Sequence, residues 1–177
     1  QKGHSVELIN IFNAFDSEVL QQQVEKARNF DVIIGWSLGG QLATLLVDQI
    51  SKQYQQQKTL ITLASNPSFV QHEEWHNAMD QPTFQNFKQS FEHDVIATLR
   101  KFGFMVCQGT AISKQDFVTL QSLIQPQNLD ILKQGLNCLE QLNTVSILKN
   151  YAGHQYHLFA KQDFLVSYKV VENLQNF

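Results

Sequence analysis

The sequence is poor in cysteine, carries little net charge and has no long apolar run. Its two cysteines, Cys107 and Cys138, lie in apolar helical patterns, so we expect buried thiols rather than a disulfide or a metal-binding pair. The 13 basic and 16 acidic residues give a net charge of −3, which argues against binding nucleic acid through a broad basic surface. No segment is long and apolar enough to span a membrane, and no signal peptide is evident. We therefore expect a cytoplasmic protein that binds neither nucleic acid nor membranes.

The length and composition fit one globular unit. The chain has 177 residues, of which 43% are hydrophobic, enough to bury a sizeable core. Glutamines are scattered along predicted helices, and we find no internal repeat or disordered tract. The sequence starts at Gln1 rather than Met and stops at Phe177 within an apparent helix. We therefore expect it to lack the N-terminal and C-terminal parts of its fold.

One segment, residues 31–43, has the clearest functional pattern. An apolar run rich in β-branched residues, at 32–34, predicts a buried strand. The motif Gly35-Trp36-Ser37-Leu38-Gly39 follows it, and a helical pattern then begins at Leu42. This order of strand, Gly-x-Ser-x-Gly and helix is typical of a serine nucleophile on a sharp turn. The alternative is a glycine-rich turn with an incidental serine.

The spacing of this motif has a physical reason. A sharp turn between strand and helix leaves little room, so the flanking Gly35 and Gly39 must be small, and Gly40 adds further space. The start of the following helix directs free N–H groups and the positive end of its dipole toward the serine. We therefore predict Ser37 as the nucleophile and the backbone N–H of Leu38 as one oxyanion donor.

The segments around this motif predict a parallel sheet. Strands that alternate with helices through short loops are typical of parallel strands joined by right-handed crossovers. Because the strands are apolar throughout, we expect helices on both faces of the sheet. The strand candidates are residues 6–12, 59–64 and 156–160, and the helix candidates are residues 17–28, the segment after Ser37 to residue 52, and a last helix around Val170 capped by Ser167.

Residues 69–143 have a different character, with no strand candidate. Apolar side chains between Phe84 and Val106 recur at helical spacing, and two further apolar patterns follow. We predict an inserted helical lid of about four helices. The core would comprise residues 1–65 and 145–177, and the lid residues 66–144. The aromatic stripe is either the packing face of the lid or an apolar slot for an acyl chain above the active site.

The acid and the base of a serine hydrolase come from other strand ends. Reactive groups of a parallel sheet gather at the carboxyl ends of its strands, and Asp163 follows the strand candidate at 156–160. The order serine, acid, histidine that is expected for this motif fits Ser37 and Asp163. None of the six histidines follows Asp163, so the triad histidine is not present in this chain. The loop that normally gives a second oxyanion donor would precede every residue present here.

The histidines that are present have simpler explanations. His157 lies within a strand candidate, where packing or local pairing is expected, and His154 lies in a loop. His72 and His76 are four residues apart, as in a metal pair, but a third ligand is missing. We predict solvated surface positions for both, and neither a metal site nor a cofactor.

Several stretches together resemble the α/β-hydrolase family, and more narrowly the pimeloyl-acyl-carrier-protein methyl ester esterases of biotin synthesis. The resemblance centres on Gly35-Trp36-Ser37-Leu38-Gly39-Gly40 and covers nearly the whole chain. It implies an α/β-hydrolase fold, with a mostly parallel sheet, helices on both faces and an inserted helical lid. The other similar stretches are Leu60-Ile61-Thr62-Leu63-Ala64-Ser65-Asn66-Pro67-Ser68-Phe69, Glu74-Trp75, Gly109-Thr110, Lys114-Gln115-Asp116 and Leu129-Asp130-Ile131-Leu132-Lys133-Gln134-Gly135-Leu136.

The resemblance also implies roles for individual residues. Ser37 would be the nucleophile and Asp163 the triad acid. Relatives act on the methyl ester of a dicarboxylate carried by acyl carrier protein, an acidic partner that docks on basic lid residues. Here Ala97 and Val118 stand where similar proteins place basic residues. The implied substrate-binding residues are Trp36, Leu38, Phe102 and Leu123, and the implied carrier-docking residues are Arg100, Lys101 and Lys114.

These patterns indicate a carboxylic-ester hydrolase with an acyl-serine intermediate, which acts as a monomer on a small-molecule or carrier-bound ester. A thioesterase or a short-acyl esterase or lipase would use the same triad. A hypothesis of another class is a degenerate, non-catalytic hydrolase scaffold that serves as a binding module, since the triad histidine is missing.

Overall fold

A parallel sheet of three strands forms the centre of the protein in our computed structural model, which describes residues 3–109, 112–175 and 177. Both strand pairs are parallel, with Ile34 opposite Ile61 and Ile61 opposite Tyr156. The strand candidates at 32–34, 59–64 and 156–160 are thereby confirmed. Thr110, part of one similar stretch, lies outside the described residues. In sheet order, the strands are β1 (Val32–Trp36), β2 (Thr59–Leu63) and β3 (Gln155–Leu158).

Helices cover one face of this sheet and fill the segment between β2 and β3. The first helix begins where residues 17–28 predict one, because the Asp16 carboxylate accepts hydrogen bonds from the N–H groups of Glu18 and Val19 at 3.0 and 3.1 Å. Within the described residues, none of the helices has the length and apolarity that a membrane crossing requires. The helices are α1 (Ser17–Ala27), α2 (Leu38–Tyr54), α3 (Gln81–His93), α4 (Val95–Val106), α5 (Ser113–Leu123), α6 (Leu129–Gln141), α7 (Val145–Asn150) and α8 (Val170–Leu174).

The main core lies between α1, α2 and one face of the sheet. Val24 of α1, Leu46 of α2 and Cys138 of α6 belong to one cluster of buried side chains. A second cluster joins Val47 of α2 to Leu60 of β2. α2 therefore packs against both α1 and the sheet, and it fixes their relative position.

The opposite face of the sheet is exposed, and the prediction of helices on both faces is wrong for the described residues. Val32, Ile34 and Trp36 alternate along β1 and are 44%, 61% and 59% exposed. Tyr156 and Leu158 of β3 lie in register with this face and are 56% and 53% exposed. A continuous apolar run therefore identifies the strands without showing which of their faces are covered.

Residues 6–12 do not form the predicted first strand. They have no regular secondary structure, and Val6 and Leu8 are 69% and 95% exposed. A strand needs a neighbour to complete its backbone hydrogen bonds, and none of the described strands pairs with this segment. Ile11 and Phe12 instead pack against the cluster formed by α1, α2 and α6. The predicted β-α-β-α-β order therefore loses its first strand.

The predicted helical insertion is present as α3 to α6. Its aromatic stripe splits into two helices at Asp94, whose N–H donates to the carbonyl of Ser90 at the end of α3. The Asp94 carboxylate accepts a hydrogen bond from the N–H of Ala97 at the start of α4. Phe84 and Phe91 are buried, as expected if the stripe is a packing face. The domain boundaries themselves remain predictions.

Two smaller expectations have different outcomes. Cys107 and Cys138 are both buried, as predicted. α8 has Lys169 rather than Ser167 as its N-cap residue, and Phe177 lies beyond the helix. The Ser167 hydroxyl accepts a hydrogen bond from the N–H of Lys169 at 3.3 Å, so this serine stabilises the turn before the helix instead of its first turn.

β2 and β3 share a polar pair on the face covered by α2. Thr62 lies opposite His157 in the ladder, and the Thr62 hydroxyl oxygen and His157 Nδ1 are 2.7 Å apart. Burial lowers the pKa of the His157 imidazole below its ordinary value of 6.5, because the charged ring loses hydration there. His157 thus pairs locally within the sheet, as expected for a histidine in a strand.

His157 should make the protein less stable in mild acid. The folded state favours the neutral ring, so the unfolded chain binds more protons once the pH falls below about 6.5. The free energy of unfolding should therefore fall as the pH decreases through this value. Urea denaturation at about pH 7.5 and about pH 5.5 measures the fall, and His157→Gln should reduce it. His154→Gln, at an exposed loop position before β3, is the control, and an equal reduction in both variants would contradict the prediction.

Candidate active site

Ser37 occupies a strained turn between β1 and α2. It has φ 53° and ψ −123°, a region that costs a non-glycine residue about 1–3 kcal/mol. Its N–H donates to the carbonyl of Leu63 on β2 at 2.9 Å, and its carbonyl accepts from the N–H of Gly40 at 2.9 Å. The predicted arrangement of strand, turn and helix around this serine is confirmed.

Two of the three glycines predicted to give this turn its space, Gly35 and Gly40, make the close approaches. A Cβ on Gly35 would lie 2.1 Å from the carbonyl oxygen of Gly39. A Cβ on Gly40 would lie 2.3 Å from Ser65 Oγ, whereas a Cβ on Gly39 would have no atom within 4 Å. The size argument is therefore correct for Gly35 and wrong for Gly39. The second close approach joins α2 to the segment after β2, and it lies at Gly40.

The N–H of Leu38 is available to an anion. Leu38 is the first residue of α2, so its N–H has no carbonyl one turn earlier in the helix. No other backbone acceptor pairs with it in the described part of the chain, and the helix dipole adds positive potential at this end. The Leu38 side chain is 9% exposed and packs in the core. Any part of Leu38 in binding substrate would therefore come from its backbone.

Asp163 follows β3, and Ser37 follows β1, so both residues come after the carboxyl ends of their strands. Its Oδ1 accepts hydrogen bonds from the N–H groups of Leu165 and Val166 at 2.8 and 2.9 Å, and its Oδ2 has no hydrogen-bond partner among the described residues. β2 separates β3 from β1, so the two strand ends are about 10 Å apart. An imidazole ring with a hydrogen bond on each side covers a distance of this order. The role of Asp163 as the triad acid stays a prediction.

None of the described histidines is hydrogen-bonded to Ser37 or Asp163. His157 pairs within the sheet, as described above. His154 precedes β3, and its carbonyl accepts from the N–H of Leu60 near the start of β2, so it lies toward the opposite edge of the sheet. Among the described residues, the candidate nucleophile, acid and oxyanion donor are therefore present, but no histidine is bonded to either side chain as a base would be.

His72 and His76, which are four residues apart, do not form a metal site with other described residues. His72 Nε2 lies 2.8 Å from the amide nitrogen of Asn143, and His76 is exposed. Throughout the residues that the structure describes, no group of three or more His, Cys, Asp or Glu side chains could hold a metal ion.

The predicted substrate-binding side chains lie on separate elements. Trp36 ends β1 and is 59% exposed, directly before Ser37 on the open face of the sheet. The Phe102 ring contacts Phe87 between α3 and α4, with centroids 5.8 Å apart. Leu123 ends α5 and is 69% exposed. Their role in binding substrate stays a prediction.

Two of the predicted carrier-docking residues border a groove on the lid. Arg100 and Lys101 of α4 line an open groove of about 630 Å³ together with Phe117 of α5. Lys114 lies one turn before Phe117. The groove thus combines two cations with an apolar surface, as protein-binding sites often do. Its remaining lining residues are Asp94, Ile96, Ala97 and Phe104.

Sequence reasoning missed a buried polar network close to Ser37. Asn66, in the segment after β2, is 5% exposed. Its Oδ1 accepts a hydrogen bond from Trp75 Nε1 at 2.7 Å, and its carbonyl accepts one from Gln41 Nε2 at 2.9 Å. Two signals were present in the sequence: an Asn-Pro step directly after an apolar strand, and a glutamine among small and apolar residues near the start of α2.

Solved structures with the same architecture define the fold class. An esterase from Exiguobacterium antarcticum matches with a TM-score of 0.68 over 89% of this chain and 58% of the esterase, at 14% sequence identity. A bromoperoxidase from Bacillus anthracis matches with a TM-score of 0.63 over 85% of this chain and 56% of the bromoperoxidase, at 13% identity. Identities this low establish the fold alone. The protein has the α/β-hydrolase fold, as its serine turn, parallel sheet and inserted lid predicted.

The chain belongs to the uncharacterised protein family UPF0227, whose family model matches residues 6–130. Curated relatives have more specific names. The pimeloyl-[acyl-carrier protein] methyl ester esterase of Vibrio vulnificus is 29% identical over 180 residues, which cover 98% of this chain and 66% of that protein. The esterase of the same name from Salmonella typhimurium is 30% identical over 164 residues, which cover 90% of this chain and 62% of that protein.

A longer relative combines two activities in its name. The biotin biosynthesis bifunctional protein of Teredinibacter turnerae is 32% identical over 154 residues, which cover 81% of this chain and 26% of that protein. The chain therefore spans somewhat less than two thirds of the two esterases and about a quarter of the bifunctional protein.

Alanine substitutions at Gly35 and Gly39 should show whether steric contact, rather than membership of the Gly-x-Ser-x-Gly motif, is the reason for glycine at each position. A methyl group at Gly35 collides with backbone that cannot rotate away, so Gly35→Ala should lower the free energy of unfolding by about 3 kcal/mol. Gly39→Ala adds a methyl group in open space within a helix, so it should be neutral or stabilise by up to about 1 kcal/mol. Urea denaturation measures both, and equal losses would show that steric contact is not the reason for Gly35.

Proposed function

We propose that the protein is a carboxylic-ester hydrolase that works through an acyl-enzyme on Ser37. The conformation of this serine is the observation that supports the proposal most directly. Ser37 has φ 53° at the start of α2, beside the unpaired N–H of Leu38. Backbone strain of this kind persists only where the surrounding structure imposes it, and it is concentrated at active sites. The names of the esterase relatives agree with this reaction class.

In this reaction Ser37, Leu38 and Asp163 would each have a separate role. Ser37 Oγ attacks the ester carbonyl carbon while a base takes its proton, and the Leu38 N–H binds the resulting oxyanion. The alcohol leaves with the proton from the base, and water then hydrolyses the acyl-serine by the same steps. Asp163 Oδ2 would accept the N–H of the imidazole that serves as base, which fixes the ring and stabilises its positive charge.

The base is the part of this proposal that residues 1–177 do not supply. None of the six histidines is bonded to Ser37 or Asp163, so the reaction requires an additional one. About a third of the Vibrio vulnificus esterase lies outside the aligned part, which is ample length for such a residue. The second candidate function, a non-catalytic binding scaffold, is favoured by this missing base.

We further propose the methyl ester of a carrier-bound dicarboxylate as the substrate, in biotin synthesis. The names of the relatives and the groove bordered by Arg100 and Lys101 support it. A thioesterase or a short-acyl esterase or lipase is the alternative within the same chemistry. The uncharged Ala97 and Val118, the latter 68% exposed, favour that alternative because they weaken the basic character of the lid. The monomeric state and the cytoplasmic location remain predictions.

Substitution of the two catalytic candidates tests the reaction in a longer chain that also supplies the triad base. Ser37→Ala should lower kcat for p-nitrophenyl butyrate on the order of 10⁶-fold and prevent covalent labelling by a serine-directed phosphonate. Asp163→Asn keeps an acceptor for the N–H groups of Leu165 and Val166 but loses the charge that stabilises an imidazolium. Its kcat should fall about 10⁴-fold. Ester hydrolysis and intact mass after the phosphonate measure these effects.

Ser146→Ala, at an exposed position on α7, is the matched control and should hydrolyse ester and take the label as the wild type does. Labelling of the Ser37→Ala variant would remove the nucleophile assignment. A folded wild type that takes no phosphonate would favour the binding scaffold.

Charge reversal on the lid tests the carrier. The double substitution Arg100→Glu and Lys101→Glu should raise KM for an ester bound to acyl carrier protein at least about tenfold, because like charges would then face the acidic partner. The kcat/KM for p-nitrophenyl butyrate should not change. The double substitution Lys26→Glu and Lys149→Glu, at exposed positions on α1 and α7, is the control with the same change in net charge. An unchanged KM for the carrier-bound ester would leave a small ester as the substrate.

A further inference from the structure

Asn66 makes three hydrogen bonds, two of them buried and one part-buried, that join separate parts of the chain. Trp75 Nε1 donates to its Oδ1 at 2.7 Å, and its own Nδ2 donates to the carbonyl of Asn77 at 2.7 Å. Its carbonyl accepts from Gln41 Nε2 at 2.9 Å. Asn66, Trp75 and Gln41 are only 5%, 2% and 2% exposed. A buried polar group that lost its partner here could not form a hydrogen bond to water instead, so each hydrogen bond restrains the two residues that it joins.

One end of this network is the helix that follows Ser37. Gln41 lies one turn after Ser37 on α2. Ser65 packs against Gly40, and the Leu63 carbonyl accepts the Ser37 N–H at 2.9 Å. The end of β2 and the segment after it therefore hold the serine turn at three points.

The other end is the segment that carries Asp163. Trp75 shares a buried cluster with Val170 of α8, and Asn77 Nδ2 donates to Asn173 Oδ1, also on α8, at 2.5 Å. α8 begins seven residues after Asp163. The network thus extends from the serine helix to the helix that follows the candidate acid.

We infer that Asn66 is a positioning residue, which fixes α2 and the Asp163 segment in one frame through Trp75; this inference rests on the proposed hydrolase function. No hydrogen bond joins Ser37 to Asp163 among the described residues, and β2 separates their strands. Their relative position is set by the sheet between them and by the groups that connect α2 to α8. A misplacement of reacting groups by about 1 Å costs about 10²-fold in rate, so a loosened network lowers kcat more than it weakens the binding of a small ester.

Trp75→Phe and Asn66→Ala test this role in the same longer chain that supplies the triad base. The first keeps an aromatic ring in the cluster and removes the indole N–H, and the second removes both side-chain hydrogen bonds. Each should lower kcat for p-nitrophenyl butyrate about 10- to 100-fold, with KM within about threefold of the wild type. Phosphonate labelling of Ser37 should slow by a similar factor. Val24→Ala, at a fully buried position on α1, is the control, because it loses stability through a cavity and keeps the network.

Urea denaturation of all four proteins separates loss of folding from loss of positioning. Lower kcat and slower labelling in folded Trp75→Phe, with Val24→Ala unchanged, is the supporting result. If Trp75→Phe is folded and as active as Val24→Ala, the positioning role is overturned while the hydrolase proposal stands. A wild type that neither hydrolyses ester nor takes the phosphonate overturns both. If Asn66→Ala does not fold, Trp75→Phe alone decides.

Discussion

The contact between the end of β1 and the first turn of α2 is the constraint on which the candidate site depends. The carbonyl oxygen of Gly39 lies 2.1 Å from the place where Gly35 would carry a Cβ, so strand and helix meet through backbone alone. This close approach holds Ser37 at φ 53° and leaves the first N–H groups of α2 without partners. The geometry that makes the turn unfavourable, by about 1–3 kcal/mol, is therefore the one that places a free backbone donor beside the serine hydroxyl.

The strain extends along the sheet edge and is not confined to the serine. Ala64, at the end of β2, also has a positive φ, 45°. Each of these two residues is held by a hydrogen bond to the next strand, from Ser37 N to the Leu63 carbonyl at 2.9 Å and from Ala64 N to the Leu158 carbonyl at 2.8 Å. The parallel ladder thus continues past the ends of its strands through two strained residues. The packing of α2 against the sheet has to offset both.

Sequence patterns predicted the structure to the extent that its features are local. The strand, the serine motif and the helix at 32–52, and the helix at 17–28, follow from residues within a few positions of one another. The prediction of a strand at residues 6–12 failed because a strand needs a neighbouring strand to pair with, and the sequence of these seven residues does not specify that neighbour. The Asn66 network was missed for the same reason: Gln41 and Asn66 are 25 residues apart, and only the fold brings them together.

The lid groove shows how far charge alone specifies a partner. Arg100 and Lys101 are exposed, and exposed charges are screened beyond about 8 Å at physiological salt. They would speed the approach of an acidic carrier and orient it, but add little affinity. Ile96 and Phe104, 82% and 41% exposed, offer apolar area beside them, and its burial stabilises a complex by about 25 cal/mol per Å². A partner that fits this lid therefore needs acidic groups around an apolar centre, which is a narrower requirement than acidity.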